Sequence, residues 1–318
     1  MFLSNIYNII NRFASPGGSK GKLHIFIFHR VLDKPDYLMP GEPDIKRFDS
    51  IIQTLSSVYK IISLSEAADG LRSKSLPARA ACITFDDGYV DNYRNAFPIL
   101  KKHNVPATIF VATDYIDRGV MWNDEVIESI RDYAGSITLP GLNIIDRQCQ
   151  SEQNKFDLIR QILPAIKHLD QSERTNYVTH IKNITGYKTQ GMMMNVNEIR
   201  ELSESNITIG AHTCSHPILA NLSTQESQAE ISKSKNILEE IIGGEIEYFA
   251  YPNGRPNEDY APKDVSIVKQ LGFKAAVSTR KSIVGYDDDL FELPRFTPWD
   301  QNLHKFILRG LIESYRAV

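Results

Sequence analysis

The chain has 318 residues, 42% of them hydrophobic and 24% charged, with 36 Lys and Arg against 39 Asp and Glu for a net charge of −3. That balance suits a globular protein with a full buried core and speaks against a disordered or nucleic-acid-binding chain, because no long basic stripe interrupts it. Its three cysteines, Cys82, Cys149 and Cys214, are widely spaced and form no C-x-x-C, which argues against a disulfide framework and for a reducing compartment.

The first thirteen residues place Phe2, Ile6, Ile9, Ile10 and Phe13 at helical spacing. A helix docked on the protein body is the favoured reading; a membrane-surface helix is disfavoured because Arg12 is the one basic residue there. The segment lacks the charged start and cleavage site of a signal peptide, and no apolar run reaches the roughly 18 residues that span a bilayer. A cytoplasmic protein, at most peripheral to a membrane, is therefore expected. SPGGSKGK at 15–22 reads as a flexible joint, so residues 1–22 form a helix and linker ahead of a domain at 23–318.

Seven β-like runs follow in order: LHIFIF (23–28), ACITF (81–85), ATIFVAT (107–113), ITIGA (207–211), IEYFAY (246–251), FKAAVST (273–279) and a weaker FELPRF (291–296). Helix-like stretches near 45–58, 90–103, 223–242 and 262–271 alternate with them, which predicts a parallel α/β architecture. Residues 117–205 break the rhythm with polar, helix-like segments such as 154–169 and 174–184; this length predicts a helical insertion. Polar residues recur just after the strands, at the end where parallel barrels build active sites.

Three of these strand ends carry chemistry. TFDDGY at 84–89 puts Asp86 and Asp87 side by side. Two adjacent carboxylates at a strand tip are costly unless a cation neutralises them; a divalent metal on one would leave the other as a base. A surface Asp-Asp-Gly turn is the plain alternative. HTCSHP at 212–217 offers His212 and His216, imidazoles suited to zinc and related ions, although a lone H-x-x-x-H is often chance. Pro217 disfavours a helix through the pair, so a loop is predicted. Cys214 between them reads as a packed side chain. Three ligands, Asp87, His212 and His216, would leave a position open for water, as catalytic zinc sites do. YPNG at 251–254 could aim a backbone N–H into a cavity. Arg295 could orient an acid, and Trp299 could line a sugar pocket or the core.

Taken in order, these motifs resemble those of the polysaccharide deacetylases, the NodB-homology or carbohydrate esterase family 4 proteins. The resemblance covers residues 23–115 and 206–299 and implies a distorted (β/α) barrel, often of seven strands. It implies Asp86 as general base, and Asp87, His212 and His216 as ligands of a metal, commonly zinc, with cobalt or nickel as alternatives. It implies the Asn253 N–H at the oxyanion and N-deacetylation of a sugar to free amine and acetate; Tyr251 and Trp299 are further candidates for the substrate site. Two departures stand out. Ala250 occupies the position where the third motif carries Arg, for which Arg295 is the expected substitute. The family's acid-bearing segment has no match, which leaves the proton donor open between His29, within a Y-H-x-V-like FHRV opening that could instead contact substrate, His304, and solvent. An N-acetylated sugar or glycan precursor is the expected substrate. A carbohydrate-binding barrel without activity, or an amidohydrolase on a non-sugar amide, are the alternatives.

Overall fold

The computed structural model describes residues 21–117 and 119–296. The expected N-terminal helix, Trp299 and His304 lie outside the described residues. The described residues divide into two compact units, one made of 21–34, 41–116 and 194–296, the other of 35–40, 117 and 119–193.

The larger unit is built on parallel strands β1 (Leu23–Phe28), β2 (Lys60–Ile61), β3 (Ala80–Phe85) and β4 (Ala107–Val111). After the second unit's β5 (Ser136–Leu139) and β6 (Ile144–Gln148), it resumes with β7 (Ile207–Ala211), β8 (Tyr248–Ala250) and β9 (Ala275–Val277). The neighbour order is β1-β3-β4-β7-β8-β9, with the short β2 beside the start of β3. Residues 293–296 then close the ring. Leu293 bridges Val277 of β9 and Phe296 bridges Phe26 of β1, both in parallel sense. Their main chains exchange bonds of 2.8 Å (Ser278 N to Leu293 O) and 2.7 Å (Phe296 N to Ile25 O). Seven parallel positions thus form a distorted (β/α) barrel, in the seven places the apolar runs predict. FELPRF reads weakly because its extended part is short and carries a proline.

Strand alternation divides the side chains between two faces. Phe26, Phe28, Ile83, Phe85, Ile109, Val111, Ile209 and Phe249 join the core beneath helices α1 (Ile45–Val58), α3 (Phe97–His103), α7 (Val196–Ser203), α8 (Thr224–Ile242) and α9 (Pro262–Gln270). The opposite face gathers Ile25, Cys82, Phe110, Tyr248, Ala250, Val277 and Leu293, with α2 (Leu64–Arg72) packed on it. The parity that puts Cys82 and Thr84 on this inner face carries on to Asp86, and that of Gly210 to His212. The helix α2 escapes the sequence reading, although its capping box at Ser63 and Glu66 is a start signal visible in the sequence.

The smaller unit has its own core. Helices α4 (Trp122–Arg131), α5 (Glu152–Lys167) and α6 (Gln171–Thr185) share Val126, Ile130, Leu158, Ile162 and Ile181 with the hairpin of β5 and β6. Asp36 ties Pro35–Pro40 to it through a 2.7 Å ion pair with Arg131. Two features differ from the expected insertion at 117–205. It contains a short antiparallel hairpin, whose strands of 4 and 5 residues are too brief to show a period. It also ends at Met193, because α7 buries Ile199 and Leu202 in the barrel core.

Candidate active site

Asp87, His212 and His216 meet at the C-terminal ends of β3 and β7, with one ligand atom from each lying within 4.8 Å of the others. Both Nε2 atoms are 3.4 Å from Asp87 Oδ1. That oxygen is buried and has no hydrogen-bond partner, an arrangement that is costly unless a cation completes it. His212 Nδ1 lies 2.7 Å from the Ala250 carbonyl, which calls for a proton on Nδ1 and makes Nε2 the ring nitrogen turned toward Asp87. Burial pushes His216 down to about 4 against the pull of Asp87, so it is a neutral donor at neutral pH. Burial would raise Asp87, but the neighbouring His212 and His216 hold it well below the usual carboxylate range. One anionic oxygen and two imidazole nitrogens suit a borderline cation such as zinc.

The histidines sit on a loop, as Pro217 predicts, and the backbone is bent to present them. Asp87, Thr213, His216 and Asn253 all have positive φ, at 77°, 63°, 54° and 59°. For a β-branched residue such as Thr213 this conformation is unfavourable, and strain of this kind concentrates at functional sites. Gly88 (φ +89°) follows Asp87, where a Cβ would stand 3.0 Å from Val111. The histidine loop is held by a residue the sequence reading missed. Glu230 of α8 accepts from Cys214 N and Ser215 N, both at 2.9 Å, and from Ser215 Oγ at 2.9 Å. Cys214 is packed, its Sγ 3.5 Å from the Glu230 carbonyl.

Beside this cluster Asp86 is 3% exposed and Arg295 1%. The two form a bidentate pair, Nη1 to Oδ1 at 2.7 Å and Nη2 to Oδ2 at 2.6 Å. Arg295 is itself anchored by donating from Nε to the Ser278 carbonyl (3.0 Å) and from Nη1 to Thr84 Oγ1 (3.3 Å). Burial alone would raise Asp86, but the Arg295 guanidinium, followed by His212, holds it ionised below its ordinary value. Burial would lower His212, and the Asp86 and Asp87 carboxylates raise it overall.

His29 follows the tip of β1, whose Phe28 carbonyl accepts from Asp86 N at 3.0 Å. That bond sets the His29 position and Asp86 at neighbouring strand ends of the same sheet. At the third strand end the turn at Asn253 is pinned by Thr279, which donates from Oγ1 to the Asn253 carbonyl (2.6 Å) and from N to the Gly254 carbonyl (2.8 Å). Gly254 (φ +76°) has no room for a side chain, since a Cβ would meet Thr279 N at 2.9 Å.

A model of the family described as Polysaccharide deacetylase matches residues 73–276. The chain belongs to the polysaccharide deacetylase family. Among curated relatives, the poly-beta-1,6-N-acetyl-D-glucosamine N-deacetylase of Staphylococcus aureus is 22% identical over 295 residues, spanning 89% of this chain and 80% of that one. Among solved structures, the Streptococcus pyogenes deacetylase PplD in complex with acetate aligns with a TM-score of 0.62 at 19% identity, over 92% of this chain and 99% of that one. IcaB from Ammonifex degensii aligns with a TM-score of 0.61 at 19% identity, over 94% and 98%. These likenesses show the shared fold. Of the positions singled out in the sequence, Asp86, Asp87, His212, His216, Tyr251 and Asn253 fall inside the family match, while His29 and Arg295 fall outside it.

One expected site residue of this family member is placed elsewhere. Tyr251 is fully buried in the helix-side core, stacked on Tyr260 at 3.9 Å, with its hydroxyl donating to the Phe291 carbonyl. Its main-chain N–H is taken by the Val277 carbonyl. Since Ala250 faces inward, alternation turns its neighbour outward, so Tyr251 is a core residue and not a substrate contact.

Proposed function

We propose that this polysaccharide deacetylase removes N-acetyl groups from a carbohydrate of surface polysaccharide metabolism, with Asp87, His212 and His216 holding a divalent metal, zinc first and cobalt or nickel next. One observation carries the reading: a buried three-ligand cluster with an orphaned carboxylate oxygen stands beside a second carboxylate that Arg295 keeps ionised. A divalent ion in such a cluster supplies Lewis acidity, polarising a carbonyl and making water a stronger acid. Asp86, presenting its charge beside that point, takes the proton of the water that attacks the amide carbon. Arg295 fixes both oxygens of Asp86 and so sets its direction as well as its charge. The Asn253 N–H, on its pinned turn, donates to the oxygen that becomes negative. His29 gives a proton to the departing nitrogen as the C–N bond breaks, leaving a free amine and acetate.

The substrate class follows from kinship. Relatives named for poly-beta-1,6-N-acetyl-D-glucosamine deacetylation support an N-acetylhexosamine polymer or its precursor. The test is acetate release from N-acetylglucosamine oligomers by chelator-treated protein, with and without added zinc. Release restored by zinc supports the reading. A protein that binds the metal and frees no acetate from any acylated sugar would sink it.

A further inference from the structure

Beyond Phe28 the first strand has ended, yet side chains hold four of the six main-chain polar atoms of residues 29–31. Asn92 Nδ2 donates to the His29 carbonyl at 2.8 Å. Asp91 accepts from Val31 N at 3.1 Å through Oδ1 and from Arg30 Nε at 2.8 Å through Oδ2. Glu42 Oε2 accepts from Arg30 N at 3.2 Å. Asn95 Nδ2 donates to the Val31 carbonyl at 2.8 Å and to Asp33 Oδ1 at 2.9 Å. The Arg30 guanidinium also lies over the Tyr89 ring, 4.6 Å from its centre. Asn92 is fully buried and Asp91 nearly so.

Asp91, Asn92 and Asn95 belong to one turn, which opens into the wide helical turn Asn92–Ala96. Wide turns of this kind are frequent at functional sites. The same continuous segment begins with Asp86 and Asp87. A loop leaving a strand end is mobile by default, whereas proton transfer tolerates misplacement of only about 0.5 Å. A buried Asp–Arg pair such as Asp91–Arg30 contributes little net stability, so tethering a loop is a better account of it than holding the fold together.

We propose that Asp91 and Asn92, with Glu42 and Asn95, are positioning residues that fix the backbone of His29 and so aim its imidazole at the departing nitrogen. The inference rests on the reading of His29 as proton donor. One segment, residues 86–95, then sets both the proton acceptor and the place of the proton donor, so that the two keep a constant separation.

The test compares two substrates. An N-acetyl sugar needs its leaving nitrogen protonated, while an aryl acetate leaves as a phenolate and does not. Asn92→Ala is expected to lower kcat on the amide by about tenfold to a hundredfold, with KM and aryl acetate hydrolysis unchanged. His29→Ala shows the same selectivity with a larger loss, and the double variant falls no lower than His29→Ala alone. Asn95→Ala, at a partly exposed position, gives a weaker form of the same pattern and serves if Asn92→Ala does not fold. Amide activity unchanged in Asn92→Ala and Asn95→Ala while His29→Ala is impaired would overturn the positioning role alone. Parallel loss on both substrates would also overturn it, as a general structural effect. Full amide activity in His29→Ala would remove the donor, and the positioning role with it.

Discussion

The two halves of the site are built differently. The proposed metal half draws Asp87, His212 and His216 from two short motifs, each bent into place by its own backbone and by nearby partners such as Glu230, sixteen positions from Cys214. The proposed proton-transfer half is assembled from the extremes of the barrel. Arg295 reaches Asp86 across 209 positions, and the loop at His29 is held from the turn at Asp91 and Asn92 some sixty positions on. Ring closure by residues 293–296 beside β1 brings these extremes together. The Asp87, His212 and His216 cluster is therefore written in local sequence, while the Arg295–Asp86 pairing depends on the barrel being closed.

Substitutions can break that contrast, beginning with the largest effect. His216→Ala should weaken metal binding by more than the roughly 10- to 100-fold that loss of an outer hydrogen bond costs, without loss of fold. Competition with a metal indicator measures it, and an unchanged affinity would remove His216 from the ligand set. Arg295→Met should spare metal binding more than catalysis, cut turnover strongly and cost about 3–5 kcal/mol of stability, because Asp86 would be left buried without its partner. Its pH profile carries a sign. If Asp86 is the base it must be ionised, so activity should fall as pH drops through its pKa. Arg295 holds that pKa below its usual value, and removing it moves the acid limb to higher pH. A profile that stays in place while turnover falls would mean that Arg295 acts otherwise.

Smaller effects sharpen the comparison. Glu230→Gln keeps the shape but weakens the acceptor of three bonds to the histidine loop; metal affinity should fall by roughly tenfold while aryl acetate and amide activity at saturating metal change together. Thr279→Val removes the hydroxyl bond to the Asn253 carbonyl and should lower kcat a few-fold with metal affinity intact, if that turn carries the oxyanion donor. An effect of Thr279→Val on metal affinity would tie the turn to the metal half instead.

Legibility in the sequence follows the same division. The apolar runs show the barrel because six of them hold buried strands bounded by polar residues, while FELPRF joins the ring through single bridges. Asp86, Asp87, His212 and His216 stand out because chemistry-bearing types crowd at two strand ends. The Arg295–Asp86 bond is invisible locally; only the Ala at position 250, where an Arg is customary, points to a replacement from elsewhere. Glu230 is one acid among several on α8, and nothing in its neighbours marks it. The Tyr251 expectation failed against strand alternation, a signal that was present. The hairpin at β5 and β6 was hidden by its length, although Pro140, Gly141 and Asn143 between its strands are turn formers.

The central claim is that metal binding and proton abstraction belong to adjacent but separate carboxylates. The most direct measurement is zinc titration of chelator-treated wild type and Asp86→Asn, with acetate release from an N-acetylglucosamine oligomer followed in the same samples. Both proteins should bind one ion with similar affinity, and the variant should lose on the order of a thousandfold or more in turnover. A variant that deacetylates as fast as wild type, or a wild type that binds no ion, would contradict the account.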